Sequence, residues 1–265
     1  MNDSHAGALL RRWRRRRKVS QLELSLLADT SARHLSYVET GRSRPSRTMV
    51  LRLAEALEVP LRERNTLLVA AGYAPAYRDS GLQEQGGAAV TAMLETMLTA
   101  HEPYPAVVVD RLWNVVRANT ALGVLMNGVA PALAAETPNV FRLTLHPDGL
   151  ASRLVNYGQV RALFLRRLRR QADAGDPALR ALLHEVSRYP APENHHEHEE
   201  EEMAAGPIQV PLRVRTPVGE LSMFSTMATF GSPADVTLSE LAIELFYPLD
   251  DFTATTLRHL SAQAL

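Results

Sequence analysis

The chain has 265 residues, no cysteine, 46% hydrophobic residues and 29 basic against 29 acidic residues, so its formal net charge is zero. This length favours two domains over one. The lack of cysteine excludes disulfides and thiolate metal sites. No apolar run approaches the roughly 20 residues of a membrane span, and no apolar signal-peptide core follows the basic N-terminus. We therefore expect a cytoplasmic protein with two globular domains.

The two ends of the chain carry opposite charge. Residues 1–80 contain 15 Lys and Arg against 8 Asp and Glu, whereas residues 81–265 contain 14 against 21. A basic first domain fits binding to the phosphates of DNA, and an acidic second domain does not. The alternative is a chance asymmetry between two solvated surfaces.

The first predicted helix is residues 9–19, LLRRWRRRRKV, and we expect residues 1–8 to be disordered. Leu10 and Trp13 are three residues apart and share the face that packs on the next helix. The arginines of this helix either contact phosphates, which would make affinity depend on salt, or form a solvated basic face.

Residues 20–46 predict two short helices joined by a tight turn. Ser20 and Glu23 have the spacing of a capping box, so the first helix begins here. Ser31 caps the second helix, and Gly41 ends it. Because Leu35 of the second helix faces the core, the polar side chains around it are left for an outer face.

This segment resembles the helix-turn-helix of the XRE family, which includes the phage repressors of the lambda and 434 type. The resemblance is carried by SQLEL, a turn, and then the pattern L-x-x-V-E-x-G-R-x-x-P. Asp29 departs from the family, which has Gly in the turn, but Asp tolerates a left-handed backbone. The resemblance implies a lambda-repressor-like all-α domain of five helices, in which Arg14 pairs with Glu39. It also implies a homodimer that binds two DNA half-sites about 34 Å apart.

The same resemblance assigns candidate DNA contacts. Gln21, at the start of its helix, is expected at a phosphate and within reach of a base. Arg33 has the fork geometry that contacts a guanine twice, worth about 1–3 kcal/mol of discrimination; His34 either contacts a base or is a plain surface residue. The candidates for the groove-facing side are Ala32, Arg33, His34, Ser36 and Tyr37, and those for phosphate binding are Arg42, Ser43 and Arg44.

Two further helices, residues 46–59 and one from Pro60 to Tyr73, complete the first domain. We predict domain boundaries at 1–73 for the DNA-binding domain, 74–85 for a linker and 86–265 for the second domain.

The second domain alternates between strand-like and helical segments. Helices are predicted at 88–99, 118–126, 139–145, 151–173, 176–189 and 252–265, and strands at 106–109, 113–117, 209–216, 220–230 and 241–247. Two strands, a helical block and a three-stranded meander form the order of a PAS-like α+β fold with an antiparallel five-stranded sheet. The concave face of such a sheet, opposite helices, is a usual place for a ligand cavity.

Four segments resemble the MmyB-like regulators, which join an XRE helix-turn-helix to a PAS-like ligand-binding domain. They are RERNTLLVAAGYAP, AVVVDRLWNVVRAN, LTLHPDGLASRLVNY and GELSMFSTMATFGSPADVTLSELAIE, and the likeness covers roughly residues 9–260. The resemblance implies a transcription regulator whose second domain senses a small, apolar, fatty-acid-like ligand.

We expect the pocket residues among the large apolar side chains of the second domain, although each of them is equally a candidate for core packing. Asn119 and His146 are either polar anchors or turn and cap residues. The candidates are Trp113, Val115, Asn119, Leu122, Phe164, Leu168, Met223, Phe224 and Met227.

Residues 195–202 contain three His and five Glu. Such a cluster either binds Zn²⁺ or Ni²⁺ or forms a solvated acidic loop, and we favour the loop because the tight spacing fixes no ligand geometry. The chain has no nucleophile elbow, Gly-rich phosphate loop or HExxH motif, so we expect neither enzymatic activity nor a cofactor. Two alternatives remain: a ligand-independent regulator whose second domain only dimerises or binds a protein, and a metal-responsive regulator that uses this loop.

Overall fold

A computed structural model of the chain describes residues 5–79, 81, 87–135, 137–173, 176–192, 210–231, 233 and 235–263. The chain divides into two compact units. The first comprises Met1–Gly87 with Gly231–Ser239, and the second comprises Ala88–Phe230 with Glu240–Leu265. Within the described ranges, no helix has both the length and the apolar character needed to cross a membrane.

The first unit contains the five helices that the sequence predicts. They are α1 (Ala6–Arg16), α2 (Gln21–Leu27), α3 (Ala32–Glu39), α4 (Arg47–Ala56) and α5 (Leu61–Ala70). Each contributes leucines to one core, among them the fully buried Leu10, Leu24, Leu35, Leu53 and Leu68. The first helix begins three residues before the predicted Leu9, because His5 Nδ1 accepts a hydrogen bond from the Ala8 amide and caps it.

The local signals around α2 and α3 act as predicted. Ser20 Oγ accepts from the Glu23 amide at 3.1 Å, and the Ser20 amide donates back to the Glu23 carboxylate at 3.4 Å. Ser31 caps α3 by accepting from the His34 amide at 3.1 Å. Asp29 has φ of 48°, the left-handed turn in which the XRE family has Gly. These contacts fix where α3 begins relative to α2.

A buried carboxylate ties the first three helices together. Glu39 accepts from Arg14 Nε at 2.6 Å, from Arg14 Nη2 at 2.9 Å and from Gln21 Nε2 at 2.8 Å. The Glu39 side chain is 1% exposed and that of Arg14 is 12% exposed, so the pair is largely shielded from water. The hydrogen bond to Glu39 raises the pKa of Arg14. The Arg14–Glu39 pair implied by the resemblance is confirmed, and it holds the last residue of α3 on α1.

Residues 231–239, which lie between two strands in the sequence, belong to the first unit rather than the second. The Val236 amide donates to the Arg78 carbonyl at 2.8 Å, and Thr237 Oγ1 donates to Asp79 at 3.0 Å. A short helix, α12 (Val236–Ser239), lies here and packs on α5. The sequence did not predict that a segment between two strands of the second unit belongs to the first unit.

The second unit is built on the predicted antiparallel five-stranded sheet. Its strands are β1 (Ala106–Val109), β2 (Val115–Ala118), β3 (Leu212–Thr216), β4 (Gly219–Thr229) and β5 (Ala242–Pro248). They lie in the order β2-β1-β5-β4-β3. Glu244 of β5 pairs with Val107 of β1 on one side and with Met227 of β4 on the other, so it lies in the middle of the sheet.

The helices of the second unit surround this sheet. They are α6 (Gly87–Ala100), α7 (Gly123–Met126), α8 (Pro131–Ala134), α9 (Val140–Leu145), α10 (Tyr157–Ala172), α11 (Pro177–Val186) and α13 (Asp251–Gln263).

Three predicted elements of this unit are shorter in the structure. The predicted helix 118–126 is reduced to α7, because Ala118 ends β2 and a 3-10 turn follows it. The predicted helix 151–173 is interrupted, because the Val155 amide donates to the Arg213 carbonyl of β3 and Leu154 bridges to Val214. Only a 3-10 turn precedes the break, and α10 starts at Tyr157. The predicted second strand starts at Val115 because Trp113, with φ of 67°, belongs to the turn.

Replacing Glu39 by Ala should destabilise the first unit strongly. The substitution leaves the Arg14 guanidinium buried without its carboxylate. Breaking a buried ion pair in this way lowers the free energy of unfolding by about 3–5 kcal/mol. Urea unfolding monitored by circular dichroism measures it. Glu55→Ala, on the exposed side of α4, is the matched control and should change the free energy of unfolding by about 0.5 kcal/mol or less. Equal effects of the two substitutions would contradict the central role of Glu39.

Candidate functional site

The first candidate surface is the outer side of α3. Leu35, Val38 and Glu39 are buried. The predicted groove-facing residues are the ones that reach solvent, with Arg33 exposed and the others partly exposed: Ala32, His34, Ser36 and Tyr37. The helix therefore presents a polar face of one arginine, one histidine, one tyrosine and one serine, which is the side-chain chemistry that contacts base edges and phosphates.

Arg33 and Tyr37 form a pair on this face. Arg33 Nε donates to the Tyr37 hydroxyl at 3.1 Å, and the guanidinium carbon lies 5.6 Å from the centre of the Tyr37 ring. The two residues are four apart and lie one above the other on the helix. The tyrosine holds the guanidinium in place on the surface, which lowers the entropy lost when it binds a partner.

Gln21 and the residues after α3 have different surroundings. Gln21 is half-buried, and its amide donates to Glu39. Arg42 is exposed and Ser43 is half-buried in the loop that follows α3. Of the residues predicted near phosphates, Arg42 thus presents its charge to solvent, whereas Gln21 already supports α3 from inside the unit.

Arg44 performs a structural task that the sequence did not indicate. Its Nε donates to the Ala71 carbonyl at 2.9 Å and its Nη2 to the Gly72 carbonyl at 3.4 Å, at the end of α5. Its guanidinium carbon lies 5.2 Å from the centre of the Tyr73 ring, and the Tyr73 hydroxyl donates to the Pro45 carbonyl. Arg44 therefore satisfies carbonyls that the helix itself leaves unpaired.

The second candidate site is a cavity of about 80 Å³ in the second unit, between the sheet and helices α7, α9 and α10. A buried water needs roughly 10–15 Å³ of such space, so the cavity is larger than a solvent site. Its wall is mainly aliphatic and aromatic. The sheet side includes Val107, Val115, Leu212 and Phe246, and the helical side includes Leu122, Leu125, Met126, Val140, Leu143, Val160, Leu163 and Phe164.

Three of the predicted ligand-binding residues lie on this wall: Val115, Leu122 and Phe164. Leu168 and Met223 are fully buried in the surrounding core, and Met227 packs against the same core.

The remaining predicted residues are placed elsewhere. Trp113 packs edge-on against Phe141, with ring centres 5.2 Å apart. Phe224 stacks on Tyr247, its partner across the β4–β5 pair. Asn119 donates to the Tyr104 carbonyl and accepts from the amide of Ala106, so it closes the turn before β1. His146 accepts from the Asp148 amide and packs on Tyr189, which is a turn role.

The cavity wall also carries polar groups that the sequence reasoning missed: Thr144, Ser225 and Glu244. Glu244 is 3% exposed. Ser225 Oγ donates to Glu244 Oε1 at 2.7 Å, and Arg167 Nη1 lies 4.0 Å from the same oxygen. Burial raises the pKa of Glu244, although the Ser225 hydrogen bond and the Arg167 charge act in the opposite direction. The available signal was one carboxylate inside the apolar strand segment AIELFY.

The predicted His/Glu loop, residues 195–202, lies outside the described residues. Within the part of the chain that the structure describes, no group of three or more His, Asp or Glu side chains is arranged to hold a metal ion.

Two protein families match the chain. Residues 5–67 match the family described as helix-turn-helix domain, and residues 90–260 match the family described as MmyB-like transcription regulator ligand binding domain. A search of curated proteins gives no significant match. A solved structure titled "Structure of an RNA-binding Light-Oxygen-Voltage Receptor" aligns with 14% identity over 97% of this chain and 63% of that chain. Its TM-score of 0.25 is too low to support an argument about fold or function.

Arg44 is exposed, so Arg44→Ala should destabilise the first unit by only about 0.5–1.5 kcal/mol, because water partly replaces the donor that two carbonyls at the end of α5 lose. Thermal unfolding measures this effect. Arg47→Ala, an exposed arginine of α4, removes the same charge and should be nearly neutral. If the two variants are equally stable, the contacts of Arg44 with Ala71 and Gly72 contribute nothing.

Proposed function

The chain belongs to the MmyB-like family of transcription regulators, with a helix-turn-helix domain before the ligand-binding domain, and from this premise we propose how it works. It is a cytoplasmic, homodimeric regulator of the XRE type that binds an operator through α3. A small apolar ligand in the PAS-like domain alters that binding, and the protein is not an enzyme. The observation that carries the proposal is the apolar cavity within the domain that matches the ligand-binding family.

The DNA half of the proposal is supported by the outer face of α3. Phosphate contacts set the position of a protein on DNA, whereas side chains on one helix face discriminate bases. Arg42 is suited to the first task because its charge is exposed in the loop after α3. Arg33 is suited to the second because Tyr37 holds it on the exposed face. In this arrangement two copies of α3, one from each protomer, contact two half-sites.

The ligand half of the proposal is supported by where the cavity lies in the chain. Its wall includes Ser225 of β4 and Glu244 of β5. The segment that connects these two strands contributes residues 231–239 to the first unit. A ligand that favours one arrangement of β4 and β5 therefore acts on strands that are continuous with this segment. By linkage, such a ligand shifts operator affinity only if it binds one arrangement more tightly than the other.

An open cavity favours this function over a regulator whose second domain only dimerises. A domain selected only for association gains from a filled core, since each unfilled volume costs packing energy. The wall of this cavity instead combines apolar side chains with three polar residues, which is the usual composition of a small-molecule site.

Arg33→Ala should relax the base preference at one position of the half-site. In the wild-type protein, a two-pronged contact between Arg33 and a guanine should favour guanine over the other bases by about 1–3 kcal/mol. The substitution should remove this preference. An operator selected from a random DNA library, followed by affinities for single-base variants at fixed salt, measures the preference. Arg42→Ala is the comparison: it should weaken all variants alike and lower the salt slope by about one. If both substitutions change all sequences equally, Arg33 does not contact a base.

The ligand-response proposal is tested by mass spectrometry of the organic extract of gently purified protein, with denatured protein as the control. The molecule found, or a series of apolar molecules, is then titrated against operator binding at fixed salt. We expect the operator affinity to change by about 5–150-fold, the usual range of coupling between two sites. Saturation of the protein by ligand with no change in operator affinity would contradict the proposal.

A further inference from the structure

The cavity wall contains one feature that an oily pocket does not need. Glu244 lies in the centre of the sheet, with only 3% of its surface exposed, and it lines the cavity. Burying a carboxyl group among apolar side chains costs free energy unless hydrogen bonds or a countercharge compensate for it. A plain lipid cavity is better built with Leu or Met at this position.

The protein compensates this carboxyl group only in part. One oxygen, Oε1, accepts from Ser225 at 2.7 Å. The nearest cation, Arg167, is 4.0 Å away from that oxygen, which is beyond hydrogen-bonding distance. Among the described residues, the other oxygen, Oε2, has no donor within hydrogen-bonding distance. The described residues thus leave one acceptor oxygen at the cavity wall without a hydrogen-bond donor.

We propose that the ligand carries a hydrogen-bond donor, a hydroxyl or an ammonium group, which Glu244 accepts while the apolar body of the ligand fills the cavity. This inference rests on the proposed function, since it names the chemical class of the molecule that the second domain senses. An ionised carboxylate, the head group of a fatty acid at neutral pH, brings no hydrogen-bond donor to this end of the cavity. The ligand therefore differs from a fatty acid in its head group.

The surroundings of Glu244 agree with a donor in the ligand. Burial raises the pKa of its carboxyl group, so the ionised form gains when a ligand brings a donor or a positive charge. Thr144 and Ser225 also line the cavity and make its wall partly polar. The volume of about 80 Å³ is small, so a short alkyl chain is the appropriate length for a test.

The test uses four molecules of eight carbon atoms each that differ in their polar group, titrated into the full chain at pH 7. They are 1-octanol, octylamine, octanoate and 1-methoxyheptane, the last being an isomer of 1-octanol that accepts but does not donate a hydrogen bond. Isothermal titration calorimetry, or competition with a fluorescent apolar probe, measures each Kd. We expect 1-octanol to bind about tenfold more tightly than 1-methoxyheptane, the effect of one buried hydrogen bond. Octylamine should likewise bind more tightly than octanoate.

Two substitutions of Glu244 assign these differences to its carboxyl group. Glu244→Met has a similar size and no oxygen, so it should abolish both preferences. Glu244→Gln keeps an acceptor but loses the charge, so it should retain the preference for 1-octanol over its ether and reduce that for octylamine. Glu220→Gln is the control, because Glu220 lies on the same sheet but is exposed and pairs with Arg213. Circular dichroism confirms that each variant is folded.

The outcomes separate this inference from the proposed function. If none of the four molecules binds, the proposal of an apolar ligand fails. If they bind but octanoate or 1-methoxyheptane binds as tightly as 1-octanol, a sensing cavity remains and the assignment of a donor head group is overturned. The same holds if the wild-type preferences persist in Glu244→Met, because another group must then cause them.

Discussion

The position of α3, the helix proposed to contact DNA, depends on one buried carboxylate. Glu39 ends α3, and its two oxygens accept from Arg14 of α1 and from Gln21 of α2. The polar outer face of α3 has a defined orientation only if the buried C-terminal end of the helix is held in place. Three charge-assisted hydrogen bonds to Glu39, in surroundings shielded from water, hold it. The arginine that completes this cluster belongs to α1, which contains five arginines, so one member of that run is structural rather than available to phosphates.

Much of the first unit could be predicted because its signals are local. The capping box of Ser20, the cap of Ser31 and the left-handed turn at Asp29 each depend on residues within three positions of one another. Arg44 shows the limit of such reasoning. In the sequence it belongs to a basic loop, but its partners are 27 and 28 positions away, at the end of α5. Nothing in the spacing of the loop residues indicates that contact.

The five strands of the second unit could be predicted from the sequence, whereas the bounds of the helices between them were predicted less well. Alternation of apolar and polar residues over 209–216 identifies β3. The interruption at Leu154 and Val155 depends on pairing with β3, almost sixty residues later, so a local helix pattern runs through it. The ligand candidates show the same limit. Apolar type and size do not separate Phe164, on the cavity wall, from Phe224, which stacks on Tyr247. Only the pairing register decides which face a strand residue occupies.

Glu39 and Glu244, the two buried glutamates among the described residues, differ in a way that bears on function. Glu39 is satisfied within the protein by Arg14 and Gln21, and removing a partner would leave an unpaired charge. Among the described residues, Glu244 accepts a hydrogen bond from one hydroxyl, and Arg167 is too far away to donate to it. A fully paired carboxylate stabilises a fold, whereas a partly paired one reduces stability until something else binds it. A ligand that donates a hydrogen bond to Glu244 stabilises the conformation to which it binds by the free energy of that hydrogen bond. If only one of two conformations of the regulator offers Glu244 to the ligand, this free energy is the difference in ligand affinity that shifts the equilibrium between them.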